Sequence, residues 1–134
     1  MKTVYRIEHI SDGKGLWHSR DEKDCIRFYK IPYEHQSSFF DKTINLPGFY
    51  RDTEISSRLT EEQVQDYKFA FNSLEDVFIF LTEETLNECF KIGFKLLKLI
   101  VVDYVESRYQ TVFKDPIKVE DISELYHLEE QYNY

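Results

Sequence analysis

The chain has 134 residues, a formal charge of −8 and an aromatic content of 16%, with 11 Phe and 10 Tyr. This length and the hydrophobic content of 42% predict one compact domain over residues 1–134, because a chain of this size buries roughly two-thirds of its unfolded surface. Four Gly and three Pro exclude a collagen-like or low-complexity chain, and so many aromatic residues argue against wholesale disorder.

The first part of the chain predicts a strand, a turn and a long loop. Residues 3–10 alternate polar residues with aromatic and β-branched ones, which predicts a strand, and the Asp-Gly pair in residues 11–15 predicts a turn. Residues 16–18 continue as a short strand, whereas residues 21–30 fit either a short helix or a strand. Residues 32–58 contain two prolines and many polar residues, so we expect a long loop there.

Capping signals after residue 58 predict three helices. Thr60 and Gln63 have the capping-box spacing, and Ser73 repeats the start signal. Apolar residues recur on one face of the second helix, at Leu74, Val77, Phe78 and Leu81. A third helix begins at Thr82 and ends at Gly93, which has the position of a C-cap. Its inner side carries Leu86, Cys89 and Phe90.

The end of the chain predicts further strands and a last helix. Residues 94–104 are rich in Leu, Ile and Val, which is typical of a central strand buried on both faces. Residues 106–108 form a turn, and residues 109–113 return as a partner strand in a hairpin. A short strand over 117–119 precedes an acidic amphipathic helix over 121–129. Its inner residues are Ile122, Leu125 and Tyr126.

This order of elements predicts an α+β fold with a mainly antiparallel sheet and helices packed on one face. An alternating βαβ fold fits the order less well.

The negative charge is concentrated in the second half of the chain. Residues 1–58 have a net charge of +1 and residues 59–134 a net charge of −9. This distribution disfavours nucleic acid and anionic membranes as ligands, because both need clustered basic side chains. The terminal acidic residues are the candidate partner-binding surface: Glu120, Asp121, Glu124, Glu129 and Glu130. A solvated face that only aids solubility is the alternative interpretation.

Sequence signals for catalysis are weak. Two cysteines do not make a disulfide framework, no Cys/His cluster has zinc spacing, and Cys89 is expected to be a small buried residue. Residues 13–15 lack the spacing of a phosphate-binding loop. We therefore predict no catalytic residues, no metal and no cofactor. The polar N-terminus lacks the apolar core of a signal peptide, so a cytoplasmic protein is expected.

One arrangement of residues nevertheless allows an enzymatic alternative. If the predicted hairpin lies beside the first strand, Arg6, Glu106 and Gln110 could approach each other near Trp17. This set resembles the nucleotide pocket of ADP-ribosyltransferases, in which an Arg holds the phosphates of NAD and a Glu steadies the ribose. The simpler interpretation is a cross-strand ion pair at the surface of the sheet.

Several short motifs resemble a family of small phage and prophage proteins. They are Val4-Tyr5-Arg6-Ile7-Glu8-His9 with the Gly13-x-Gly15 turn, Phe71-Asn72-Ser73-Leu74-Glu75, Gly93-Phe94, and Tyr109-Gln110-Thr111-Val112-Phe113. The usual pattern of the family has Pro-Tyr where this chain has Leu16-Trp17, and Gly-Phe within the stretch that is Ala70-Phe71-Asn72 here. The resemblance covers most of the chain and implies an origin in a mobile element, without implying an activity.

Three functional hypotheses follow from these observations. The first is a non-enzymatic phage inhibitor that binds a host protein through the acidic surface. Its target would be a nucleic-acid-handling defence enzyme such as a CRISPR effector, in the host cytoplasm. The second is a small enzyme of the ADP-ribosyltransferase type. The third is a homo-oligomeric or structural module that uses exposed aromatic residues.

Overall fold

The computed structural model of the protein describes residues 1–11, 13, 52–81 and 83–126. The strands in this part of the chain are β1 (Lys2–His9), β2 (Lys68–Ala70), β3 (Phe94–Val101), β4 (Asp103–Glu106), β5 (Thr111–Lys114) and β6 (Lys118–Asp121). The helices are α1 (Thr53–Ser56), α2 (Glu61–Val64), α3 (Leu74–Phe80) and α4 (Glu83–Lys91), with a 3-10 helix over Ser123–Tyr126. The strand pairs among these described residues are all antiparallel, and the predicted α+β class is confirmed.

The first sheet has the strand order β1-β3-β6, with β3 in the centre. Successive side chains of a strand point to opposite faces, and β3 buries apolar residues on both: Phe94 and Leu96 on one, Leu97 and Leu99 on the other. The predicted central strand is therefore confirmed over Phe94–Val101. It ends before Tyr104, because the exposed Val102 separates it from β4.

The second sheet has the order β2-β5-β4, and residues 107–110 connect β4 to β5 as a hairpin. The predicted hairpin is present, but the partners of β5 are β2 and β4, whereas β3 pairs in the other sheet. A bridge between Tyr5 and Phe71 joins the two sheets. Each backbone amide donates to the carbonyl of the other residue, with N to O distances of 3.0 Å and 2.7 Å.

The helix starts follow the predicted capping signals. The Thr60 hydroxyl accepts from the Gln63 amide at 3.1 Å, while the Gln63 side chain accepts from the Thr60 amide at 2.9 Å. The Ser73 hydroxyl accepts from the amide of Asp76 at 3.1 Å. Both capping predictions are confirmed, because these bonds satisfy amides that have no partner within the helix.

Two apolar clusters lie on opposite faces of the β1-β3-β6 sheet. The cluster under the helices is Ile7, Phe71, Val77, Leu81, Leu86, Cys89, Phe94, Leu96 and Ile122. It includes four of the predicted inner residues of α3 and α4, and the other three, Leu74, Phe78 and Phe90, are partly buried against it. The cluster between the two sheets is Val4, Ala70, Leu97, Leu99, Val101 and Phe113. The first sheet is thus covered by helices on one side and by the second sheet on the other.

Gly93 ends the turn after α4 and lies against the ring of His9. Its φ of +102° strongly favours glycine, and a Cβ at this position would lie 2.7 Å from Nε2 of His9. Nδ1 of His9 accepts from the Ser11 amide at 3.1 Å, so Nε2 carries the proton in the neutral ring. It donates to the carbonyl of Ile92 at 2.8 Å. The predicted role of Gly93 as a terminator is confirmed.

Three local predictions are wrong, and one strand was not predicted. The expected loop over 32–58 includes helix α1, which the side chain of Asp52 caps by accepting from Ile55. Strand β2 was not predicted, because it is very short and its partner β5 lies far along the chain. The helix expected over 121–129 begins later, because Asp121 belongs to β6, and within the described residues it is a 3-10 helix over Ser123–Tyr126. Leu125 is exposed, not inward-facing.

Other predictions fall on residues that the structure does not describe. They concern the segments 16–18, 21–30, 32–51 and 127–129. Among the described helices, none is long and apolar enough to cross a membrane.

Candidate functional site

Three of the five predicted acidic residues lie in the described part of the chain, and all three are exposed. Glu120 and Asp121 belong to β6, and Glu124 belongs to the 3-10 helix. Glu129 and Glu130 lie outside the described residues.

Register places Glu120 and Asp121 on opposite faces of the first sheet. Glu120 is opposite Lys98, which shares a face with Leu96, and Leu96 lies under the helices. Asp121 is opposite Leu97 on the other face and lies 3.8 Å from Nζ of Lys95. Glu120 therefore points to the side of the molecule that carries the helices, and Asp121 points away from it.

Further acidic residues lie on the same side as Glu120. Helix α4 packs against the 3-10 helix and exposes Glu83 and Glu84 in its first turn. We call the set Glu83, Glu84, Glu120 and Glu124 the acidic face. These four exposed carboxylates belong to α4, β6 and the 3-10 helix.

Basic residues compensate the acidic face only in part. With Asp121 left out and Lys98 included, residues 74–91, 98 and 118–126 contain seven acidic and three basic side chains on this side. One of the three, Lys91, already donates to Glu88 at 3.2 Å. Exposed ion pairs of this kind are screened by water and contribute about 0–1 kcal/mol each. The helical side of the molecule therefore has an excess of negative charge.

Arg6 is buried and bonded on all sides of its guanidinium. Nε donates to Glu8 at 2.8 Å, Nη1 to the carbonyl of Phe69 at 2.7 Å and Nη2 to the carbonyl of Gly13 at 3.0 Å. Burial lowers the pKa of Arg6 from its ordinary value, and the hydrogen bond and charge of Glu8 act in the opposite direction. These bonds tie β1 to β2 and to the turn at Gly13.

The other residues of the alternative nucleotide pocket have different partners. Glu106 forms an ion pair with Lys2, which joins β4 to the beginning of β1. The side-chain amide of Gln110 donates to Asp52 at 3.0 Å, and Trp17 lies outside the described residues. The hairpin thus lies near β1 as expected, but these bonds do not bring Arg6 together with Glu106 or Gln110.

A buried polar cluster under the hairpin was missed by sequence reasoning. Oδ2 of Asp52 accepts from the Ser107 hydroxyl at 2.6 Å and from Gln110 at 3.0 Å, and all three residues are buried. Asn72 donates to the carbonyl of Ser107 at 2.9 Å and accepts from Thr111. A capping signal at Asp52 was present in the sequence. Its partners could not be read from the sequence, because they lie 55 and 58 positions further along the chain.

The cluster holds the hairpin turn in place, and Arg108 in this turn is exposed. Oε1 of Glu54 accepts from Nε of Arg108 at 2.8 Å, and Oε2 accepts from its amide at 3.0 Å. This carboxylate raises the pKa of Arg108, and the guanidinium lies 5.8 Å from the ring of Tyr109. Because each polar group has a partner, the cluster acts as a structural support of the turn.

The surroundings of Cys89 make its thiol unreactive. It is fully buried, and its pKa is raised to about 12. Burial is the larger cause of this rise, and the negative charge of Glu88 is the smaller one. The expectation of a small buried residue is confirmed. Among the residues that the structure describes, no group of three His, Cys, Asp or Glu side chains is placed to hold a metal ion.

A shallow depression of about 300 Å³ lies on the face of the first sheet opposite the helices. Charged and apolar side chains alternate around it. Its lining residues are Glu8, His9, Ile10, Gly13, Lys95, Leu97, Val119 and Asp121. The carboxylates there already pair with Arg6 and Lys95, so the depression offers no isolated charge for a ligand.

Fold and surface together define a small α+β protein with a negatively charged helical side. The chain belongs to the family described as Bacteriophage T4 Y00F protein, whose model matches residues 1–124. It is therefore a phage-encoded protein, in agreement with the origin that the motif resemblance implied. Comparisons with curated proteins and with solved structures gave no significant match.

Proposed function

We propose that the chain is a non-enzymatic phage inhibitor that binds a host protein through the acidic face. The target would be a nucleic-acid-handling defence enzyme, such as a CRISPR effector, in the host cytoplasm. The observation that carries the proposal is the exposure of Glu83, Glu84, Glu120 and Glu124 on one side of the molecule.

Electrostatic complementarity supports this kind of target. A groove that binds nucleic acid presents Lys and Arg to phosphates, and an acidic protein surface can occupy the same positions. Attraction between oppositely charged surfaces raises the association rate. This attraction weakens as salt is added, because the Debye length shortens to about 10 Å at 0.1 M ionic strength. The size of the chain suits a binding protein that blocks such a groove.

Affinity capture from host lysate tests the proposal directly. The immobilised wild-type chain is compared with the variant E84K/E124K and with the matched control E61K/E62K. Both variants reverse two exposed first-turn glutamates, so they change the net charge equally.

We expect the wild type and the control to retain a nucleic-acid-binding protein at low salt and to release it at high salt. E84K/E124K should lose it at every salt concentration, and added single-stranded DNA should compete with the wild type for it. Failure to retain any partner at low salt contradicts the proposal, as does equal retention by both charge variants. Circular dichroism confirms that each variant is folded.

A further inference from the structure

Strand β6 lies at the edge of the first sheet among the strands that the structure describes. It pairs there with β3 alone, and its four residues, Lys118–Asp121, are exposed to solvent. An exposed edge presents backbone amides and carbonyls that can pair with another strand. Val119 adds an apolar side chain that is 55% exposed, on the face shared with Leu99.

The hydrogen bonds of β6 show which backbone groups point outward. The amide of Ile122 donates to the carbonyl of Leu96 at 3.0 Å. Further along the same two strands, Glu120 lies opposite Lys98 and Lys118 lies opposite Ile100. Opposite residues in an antiparallel ladder alternate between hydrogen-bonded and non-hydrogen-bonded pairs. The backbone groups of Glu120 therefore face β3, and those of Val119 face away from it. At the beginning of the strand, the amide of Ile117 donates to the carbonyl of Ile100 at 2.9 Å.

Charge complementarity selects one antiparallel pairing of β6 with a second copy of itself. When the two-fold axis passes beside Val119, the two Val119 residues exchange backbone bonds, and Lys118 of each copy lies opposite Glu120 of the other. A shift that places the axis at Glu120 sets two carboxylates directly opposite each other, which is destabilising. The sequence Lys-Val-Glu is thus complementary to itself only in the first register.

We propose that β6 mediates a symmetric dimer in which the β1-β3-β6 sheets of two copies form one continuous six-stranded sheet. A C2 arrangement uses the same edge on both copies, so the Lys118 to Glu120 contact occurs twice. The edge is short and buries less than the roughly 1600 Å² of a standard interface, so the dimer is weak and depends on concentration. The dimer carries two acidic faces, and its existence does not depend on the proposed function.

Sedimentation from the micromolar to the millimolar range tests the dimer with four variants. V119P removes an outward amide while leaving the bonds between β6 and β3, and edge strands tolerate proline. K118E places two carboxylates opposite each other, K118E/E120K restores opposite charges, and R58E is a matched reversal on an exposed residue outside β6.

The wild type and R58E should shift from monomer to dimer as the concentration rises. K118E should raise the dissociation constant by about 30-fold, from two lost attractions and two new repulsions. K118E/E120K should recover most of that loss, and V119P should stay monomeric with an unchanged circular dichroism spectrum. A wild-type chain that stays monomeric at millimolar concentration overturns the proposal. Failure of K118E/E120K to restore the dimer refutes the register.

Discussion

Replacing Gly93 with alanine tests how the end of α4 is connected to β1. The substitution places a methyl group at a backbone φ of +102° and 2.7 Å from Nε2 of His9. The ring must then move away from the carbonyl of Ile92, to which it donates at 2.8 Å. G93A therefore perturbs both the backbone and one long-range side-chain contact.

The expected loss of stability is about 2 kcal/mol. A residue with a side chain in a sparsely populated backbone region costs about 1–3 kcal/mol, and the lost hydrogen bond costs about 1 kcal/mol. Reduced freedom of the unfolded chain offsets about 0.4–1 kcal/mol. For a chain of this size, such a loss lowers the melting temperature by about 7 °C.

Thermal and urea unfolding of four proteins separate the two contributions: wild type, H9A, G93A and H9A/G93A. Removing the ring leaves only the backbone cost, so G93A should be about 1 kcal/mol less destabilising in the H9A background. An unchanged melting temperature in G93A refutes the reasoning on the backbone. An equal cost in both backgrounds refutes the contact between the new methyl group and the His9 ring.

Two further predictions concern buried groups. R6M should lower the free energy of unfolding by about 3 kcal/mol, because it leaves the Phe69 and Gly13 carbonyls without their donor. Urea unfolding measures this loss, with R58M at an exposed position as the control. Equal losses of unfolding free energy in R6M and R58M would contradict a structural role for Arg6. In a C25S background, Cys89 should react with a thiol reagent only on unfolding. The raised pKa of Cys89 also predicts that the free energy of unfolding falls between pH 9 and about 12, because in this range only the folded state keeps the thiol proton. The fall should reach up to about 1.4 kcal/mol per pH unit. The same slope in C25S/C89A would show that other groups cause the fall.

Local signals predicted the second half of the fold well. The capping box at Thr60 and the helix start at Ser73 depend on residues three positions apart, and both are present as expected. The central strand was predictable because a strand that is covered on both faces has a nearly uninterrupted run of apolar residues.

Long-range pairing accounts for what the sequence did not predict. Strand β2 is defined by its register with β5, and the cluster around Asp52 depends on partners 55 and 58 positions away. The resemblance to a nucleotide pocket assigned a ligand to Arg6, but its acceptors are Glu8 on the same strand and two backbone carbonyls, of which that of Phe69 is brought to it by the tertiary fold. Exposure of Glu120 and Glu124 was predictable, since unpaired carboxylates are rarely buried.

The pairing of β1 with β3 has a consequence for synthesis of the protein. Lys2 is the register partner of Val101, so β1 leaves the ribosome well before its partner strand β3 has been made. At a synthesis rate of roughly 5–20 residues per second this interval is about 5 to 20 s. During that time neither β3 nor β6, the other described strands of the first sheet, has been made, and β1 can contact only residues such as Phe69 of the second sheet and the nearby Phe71. The first sheet is therefore completed late, after most of the described helices have been made.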